Sequence, residues 1–148
     1  MARDDYDCLR LENQLCFPMY VCAKEIVKRY RPFLDPLDLT YTQYIALLIL
    51  WERDGLSVKD LGDRMFLDSG TLTPLLRKLE DKGYVSRTRD PADERSVVVT
   101  LTPAGKDLRK KAVDIPASVG ACMKISEQDA VALYGILERL MGTFADNQ

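Results

Sequence analysis

Histidine is absent from this chain of 148 residues. Without an imidazole to take a proton from serine or cysteine, a His-activated hydrolase is excluded. Cysteine is sparse. Cys8, Cys16, Cys22 and Cys122 show no C-x-x-C spacing, and no histidine can complete a tetrahedral set, so neither a metal nor any other cofactor is expected. Four scattered thiols make no disulfide framework; in a reducing compartment they are buried fillers or redox groups. Long apolar runs are missing too. The longest, Ile45 to Trp51, falls far short of the roughly 20 residues a spanning helix needs. Met1-Ala2-Arg3-Asp4-Asp5 leads into no apolar targeting core, so a cytoplasmic protein without a membrane partner is expected. Net positive charge is lacking as well: 21 basic against 23 acidic residues leave -2.

What is present is a composition fit for a folded core, 47% hydrophobic and 30% charged, in a chain long enough for one domain. The charge is unevenly placed. From Ser57 to Lys111 there are 12 basic and 9 acidic residues, a net of +3, which leaves -5 for the rest. Phosphate contact happens on one face, so this local sign matters more than the total.

The stretch from Asp68 to Glu80 organises the chain. Asp68 can cap a helix, and Leu72, Leu75, Leu76 and Leu79 repeat on one face of it. The other face carries Thr73, Arg77 and Lys78, with Ser69 and Thr71 in the first turn. Hydroxyls and amides suit phosphate oxygens and arginine can fork onto guanine; a solvated amphipathic helix would show the same pattern. The neighbours decide. Ser57 and Asp60 have capping-box spacing before a short helix to about Met65. Two short helices with a tight link match a helix-turn-helix. Gly83 supplies a left-handed cap. Tyr84 to Arg89 and Ser96 to Leu101 then read as strands around a polar turn, Asp90 to Arg95. The hairpin holds Arg87, Arg89 and Arg95, the residue type that a wing places in a minor groove; an ordinary α+β hairpin remains the alternative.

Around this lobe the chain is helical. Leu9 to Tyr30 reads as a helix that Pro18 kinks or starts, followed by a turn from Arg31 to Asp38. Thr40 with Gln43 opens an apolar central helix containing Tyr44, Leu47, Leu48 and Trp51. Thr102-Pro103 begins another helix, broken at Pro116, and Ser126 with Asp129 caps the last. That last helix carries Ala130, Leu133, Tyr134, Leu137, Leu140, Met141 and Phe144 on a long stripe. So apolar a terminal helix suggests a dimer interface. The expected fold is mainly α with a small β-wing. It forms one unit, 1–148: a winged helix-turn-helix lobe at 40–101, with 9–31 and 103–145 mainly dimerisation helices.

This element order resembles the MarR family of winged-helix repressors. Asp93-Glu94-Arg95 and Leu101-Thr102-Pro103-x-Gly105 match that family's wing signature, with Asp93 supporting the wing. Within it, Asn13-Gln14-Leu15-Cys16-Phe17, Leu39-Thr40-Tyr41-x-Gln43-Tyr44, Leu50-Trp51-Glu52 and Leu67 to Leu76 closely resemble the organic hydroperoxide resistance regulators (OhrR). The likeness runs from about Leu9 to Gly105; the departure is Thr42, where proline is frequent. The resemblance implies a homodimeric repressor on palindromic double-stranded operator DNA, and not an enzyme. Organic hydroperoxide would oxidise Cys16 and release the DNA. Cys122 would be the resolving cysteine if this is the two-cysteine type, with a mixed disulfide to a small thiol as the other route. Tyrosines matching Tyr30 and Tyr41 would surround the sensor, with Tyr20 a further candidate.

Such a thiol must be partly ionised, accessible and beside an apolar pocket. A helix start near Cys16 would favour thiolate. On a straight helix Tyr30 lies roughly 21 Å from Cys16, at ~1.5 Å per residue, so any sensor it touches belongs to the other subunit. Taken alone, Tyr30 also reads as a core tyrosine and Cys16 as an inert buried thiol. Cys22 reads as packing and Cys8 as an exposed end thiol. Two other functions compete. One is a MarR-type regulator answering hypochlorite, a quinone or a phenolic ligand. The other is a thiol peroxidase, which would have no use for a surface of arginines.

Overall fold

In the computed structural model, which describes residues 6–145, the chain is a winged helix-turn-helix flanked by long helices. The segment Met1 to Asp5 lies outside those residues, as do the last three. Two short 3-10 turns, Asp7–Leu9 and Leu11–Asn13, precede α1, Cys16–Leu34. The helix expected from Leu9 therefore starts seven residues later. Pro18 explains this, sitting in the first turn where its missing N–H has no helical acceptor. At the other end α1 runs on through Pro32, so the expected turn from Arg31 begins too early. Only one helical amide is lost there, two residues from the end of α1. The turn proper is a 3-10 stretch, Asp35–Leu37, closed by Asp38 at φ 53°.

Helix α2, Tyr41–Glu52, is the scaffold. Thr40 Oγ1 accepts from the Gln43 amide at 3.3 Å and Gln43 Oε1 accepts from the Thr40 amide at 3.1 Å, completing the capping box. Tyr44, Ala46, Leu47, Ile49 and Leu50 are buried, which is why the helix is apolar nearly all round. Strand β1, Leu56–Ser57, leads into α3, Val58–Met65, and then α4, Ser69–Asp81. Ser57 caps α3 by accepting the Asp60 amide at 3.0 Å, without the reciprocal half of a box. Leu61, Leu72, Leu76 and Leu79 drive α3 and α4 into the α2 core with no exposure.

Strands β2, Val85–Asp90, and β3, Asp93–Leu101, form the wing; β3 is central in the antiparallel order β1-β3-β2. The hairpin is longer than the sequence suggests. Asp90 pairs with Asp93, and only Pro91 and Ala92 turn. Side-chain bonds close this tip: Asp90 Oδ1 accepts from the Ala92 amide at 2.8 Å, and Asp93 Oδ1 from the Arg95 amide at 3.0 Å. Asp93 thus supports the wing directly. Then come α5, Pro103–Ala112, α6, Ile115–Met123, and α7, Glu127–Ala145. The break expected at Pro116 falls at Val113 and Asp114, and Pro116 stands in the first turn of α6. Helix α6 packs on α1, while α7 buries none of its residues. No helix among the described residues is long and apolar enough to cross a membrane.

Candidate sensor and DNA-binding surfaces

Cys16 is the first residue of α1, and its side chain is exposed. Leu15 at the cap offers no side-chain acceptor, so the positive end of the helix dipole at Cys16 is not neutralised by a capping oxygen. The residues before it are folded back by the two amides of the motif. Asn13 Nδ2 donates to the Asp7 carbonyl at 2.8 Å, and Gln14 Nε2 donates to the carbonyls of Cys8 at 2.6 Å and Arg10 at 3.2 Å. Leu11, Leu15, Phe17 and Pro18 line an open apolar hollow there. All four thiols are free and exposed. The expectation of buried fillers therefore fails within a single chain, Cys22 included, and Cys122 projects from α6.

The tyrosines divide. Tyr30 and Tyr41 pack with ring centroids 4.8 Å apart and planes tilted by 54°, and Tyr44 lies 5.8 Å from Tyr30. Burial pushes all three hydroxyls above the ordinary tyrosine value, and the neighbouring Tyr30 adds to the effect at Tyr41 and Tyr44. They stay protonated and so keep hydroxyls able to donate. This cluster sits near the far end of α1 from Cys16. Tyr20 is not part of it: it is exposed, one turn from Cys16, with Lys24 Nζ 5.5 Å from its ring centre. A single chain thus holds Cys16 and the tyrosine cluster toward opposite ends of α1.

The second surface is built on α4. Asp68 Oδ1 accepts from the Thr71 amide at 2.7 Å. That bond, with help from the Thr71 hydroxyl and the Gly70 amide, holds the Asp68 carboxyl below its usual range. Ser69, Thr71, Arg77 and Lys78 are exposed and Thr73 is half-buried. A groove between the helix-turn-helix and the wing brings together Ser69, Thr73, Arg87, Asp93 and Arg95, and adds Lys59 of α3. Sequence reasoning passed over Lys59, although a cation on the first helix of the motif was a legible signal. Arg89 and Arg95 are exposed toward the tip. Arg87 is otherwise engaged. Its Nε and Nη2 donate to Glu80 Oε2 at 3.0 and 2.8 Å, and its amide donates to Glu80 Oε1 at 3.2 Å. This fork ties the wing to α4 and holds the Glu80 carboxyl below its ordinary value. A further clamp went unforeseen: Lys82 Nζ donates to the Asp38 carbonyl and, at 3.2 Å, to buried Gln43 Oε1. It fixes the end of α4 to the start of α2, beside Tyr41.

Residues 39–97 match the sequence pattern of the MarR family. Across 139 residues the chain is 48% identical to the organic hydroperoxide resistance transcriptional regulator of Bacillus subtilis (strain 168), covering 91% of this chain and 95% of that one. The chain belongs to the MarR family. Among solved structures, reduced AbfR bound to DNA superposes with a TM-score of 0.79 at 32% identity, covering 92% of this chain and 93% of that one. Disulfide-formed AbfR gives 0.64 at 34% identity, covering 90% and 93%. This MarR-family chain is a DNA-binding transcriptional regulator and not an enzyme, which removes the thiol peroxidase reading.

Proposed function

We propose that this MarR-family regulator is a cytoplasmic, redox-sensing repressor that binds palindromic operator DNA as a homodimer when reduced and releases it when organic hydroperoxide oxidises Cys16. The single observation that carries the reading is the exposed thiol at the uncapped first turn of α1. The Bacillus relative, named for organic hydroperoxide resistance, supports the oxidant. The better superposition on DNA-bound AbfR than on its disulfide form supports a DNA-competent shape for this chain.

The thiolate sulfur of Cys16 attacks the terminal peroxide oxygen. An S–O bond forms as the O–O bond breaks, and the leaving alkoxide takes a proton and departs as the alcohol. Sulfur is oxidised by two electrons and the peroxide reduced by two. The sulfenic acid then condenses with the thiol of Cys122 of the partner subunit, or with a small thiol, losing water. Tyr30 and Tyr41 of one subunit donate to the Cys16 sulfur of the other. The lobe at 40–101 reads the operator through Ser69, Thr71, Thr73, Arg77 and Lys78 in the major groove and Arg89 and Arg95 at the wing. Segments 9–31 and 103–145 hold the two lobes at the half-site spacing.

A gel shift on the DNA upstream of the protein's own gene, with and without cumene hydroperoxide, tests this. Wild type should release the DNA, and Cys16→Ser should bind and stay bound. Peroxide-driven release from Cys16→Ser would sink the sensor assignment. Cys122→Ser should still form the sulfenic acid but fail to make the intersubunit disulfide; unchanged disulfide formation would remove Cys122 from the scheme.

A further inference from the structure

Apart from tyrosine, Gln43 is the only polar side chain buried among the described residues, at 2% exposure. Its capping duty needs only Thr40, whose amide donates to Gln43 Oε1 at 3.1 Å. The same oxygen takes a second hydrogen bond, from Lys82 Nζ at 3.2 Å, 39 positions along the chain. That ammonium also donates to the Asp38 carbonyl and stands 3.3 Å from the Asp38 carboxylate. Only 25% of the Lys82 side chain is exposed. Its charge is thus met by oxygens that all belong to the entry of α2. Lys82 itself is the C-cap of α4. Beside it Gly83, at φ 78°, turns the chain toward the wing, and the Gly83 carbonyl accepts from Thr102 Oγ1 at the start of α5. The entry of α2, the end of α4 and the start of the wing therefore meet at one joint.

Burial of Leu72, Leu76 and Leu79 sets how deep α4 lies on the core, but apolar contact is non-directional and holds tilt poorly. Hydrogen bonds are directional. Ser69, Thr71 and Thr73 lie at the other end of α4, with Ser69 roughly 20 Å from Lys82 at ~1.5 Å per residue. Over that lever a swing of about 5° moves the first turn by about 1.7 Å, more than a hydrogen bond to a base edge tolerates. A swing would also part a largely covered ammonium from its acceptors, which is costly. We propose that Lys82 is a positioning residue for operator recognition: anchored on Gln43 and Asp38, it sets the angle at which α4 presents its first turn to the bases, without touching DNA itself. This rests on the reading that α4 enters the major groove.

Two duplexes test this on the full-length protein: the one that wild type selects from a randomised pool, and a scrambled sequence of equal length. Both are titrated over a range of salt, with the thiols reduced and well below each variant's melting temperature. Lys82→Met should weaken binding to the selected duplex about ten-fold. Binding to the scrambled duplex, and the slope of log K against log salt, should stay as in wild type, because no phosphate contact is lost. Lys82→Arg, which keeps a cationic donor, should recover most of the loss. Gln43→Met removes the acceptor, so adding Lys82→Met to it should weaken binding by less than about two-fold further. A slope lowered by about 1 would make Lys82 a phosphate contact and overturn the proposal. Equal weakening on both duplexes, a lower melting temperature with undiminished operator affinity, or additive losses with Gln43→Met would each overturn it too. Arg77→Ala is the control: undiminished binding to the selected duplex would instead overturn the reading of α4 beneath the proposal.

Discussion

Gly105 sits where α5 passes the start of the wing. A Cβ there would lie 2.0 Å from the Tyr84 carbonyl oxygen and 3.0 Å from its carbon, both backbone atoms that cannot swing aside. The same glycine's carbonyl accepts from Trp51 Nε1 at 2.9 Å, joining α2 to α5. Gly105→Ala should therefore push α5 off the sheet and destabilise the protein by about 3 kcal/mol, the upper range for overpacking. Urea unfolding followed by the fluorescence of Trp51, the sole tryptophan, would measure it, and a change near zero would refute the close approach. Glu80 makes a pH-dependent case. Its carboxyl is held below the ordinary value, chiefly by the hydrogen bond from Arg87. A depressed folded pKa gives stability that is fully present above the unfolded value and is lost as pH falls through the folded one. Glu80→Gln should accordingly lower the melting temperature at neutral pH, and the gap to wild type should close below about pH 4, where an unperturbed glutamate is itself becoming protonated. A gap independent of pH would show that the fork does not act through charge. Both residues stood in plain view in the sequence, yet neither role was legible. A contact with a backbone carbonyl 21 positions away, or a fork between a helix and the next strand, exists only once the elements are packed.

The wing arginines separate by what the elements already do with them. Arg87 is bound to α4 through Glu80, whereas Arg89 and Arg95 are exposed beyond it. In operator titrations over a range of salt, Arg89→Ala and Arg95→Ala should each weaken binding and reduce the slope of log K against log salt by about 1, the loss of one phosphate neutralised. Arg87→Ala should leave that slope nearly unchanged and lower the melting temperature instead. Equal slope changes for all three would mean that Arg87 leaves Glu80 to meet DNA. At this scale the sequence was most informative where the chemistry is local. The caps at Thr40, Ser57, Asp68 and Thr102 all form, because each joins a side chain to an amide three residues on. The helix-turn-helix and its leucine face were legible for the same reason. Strand β1 was not. Its two residues pair with Val98 and Val99, some forty positions later, and two residues show no alternation. The wing's turn was overestimated because charge and proline mark a loop, while here Asp90 and Asp93 use their carboxylates to close a two-residue tip.

Helix α7 poses the question that one chain cannot answer alone. It spans nineteen residues with none buried, and Val131, Tyr134, Ile136 and Phe144 are 70%, 70%, 54% and 53% exposed. On α1, Phe17, Met19, Tyr20 and Val27 are exposed as well. So much apolar surface on the two terminal helices is costly in water unless something covers it. On the proposed reading a second copy covers it, with the symmetry that a palindromic operator requires. The proposed sensor needs such a copy as well, since Cys16 and the tyrosine pair lie at opposite ends of one α1 and could meet across a two-fold axis. The expected solution mass is thus twice the chain's 16.8 kDa. Charge placed in the apolar stripe, as in Tyr134→Glu/Leu137→Glu, should yield folded monomers by sedimentation and circular dichroism. Those monomers should bind a full operator at least about 100-fold more weakly, because the second half-site is no longer reached within one molecule. On the proposed reading, in which Tyr30 and Tyr41 of the other subunit are the donors, they should also react more slowly at Cys16. Loss of operator affinity with undiminished Cys16 reactivity would separate the two claims: the dimer would stand, and the shared sensor pocket would not.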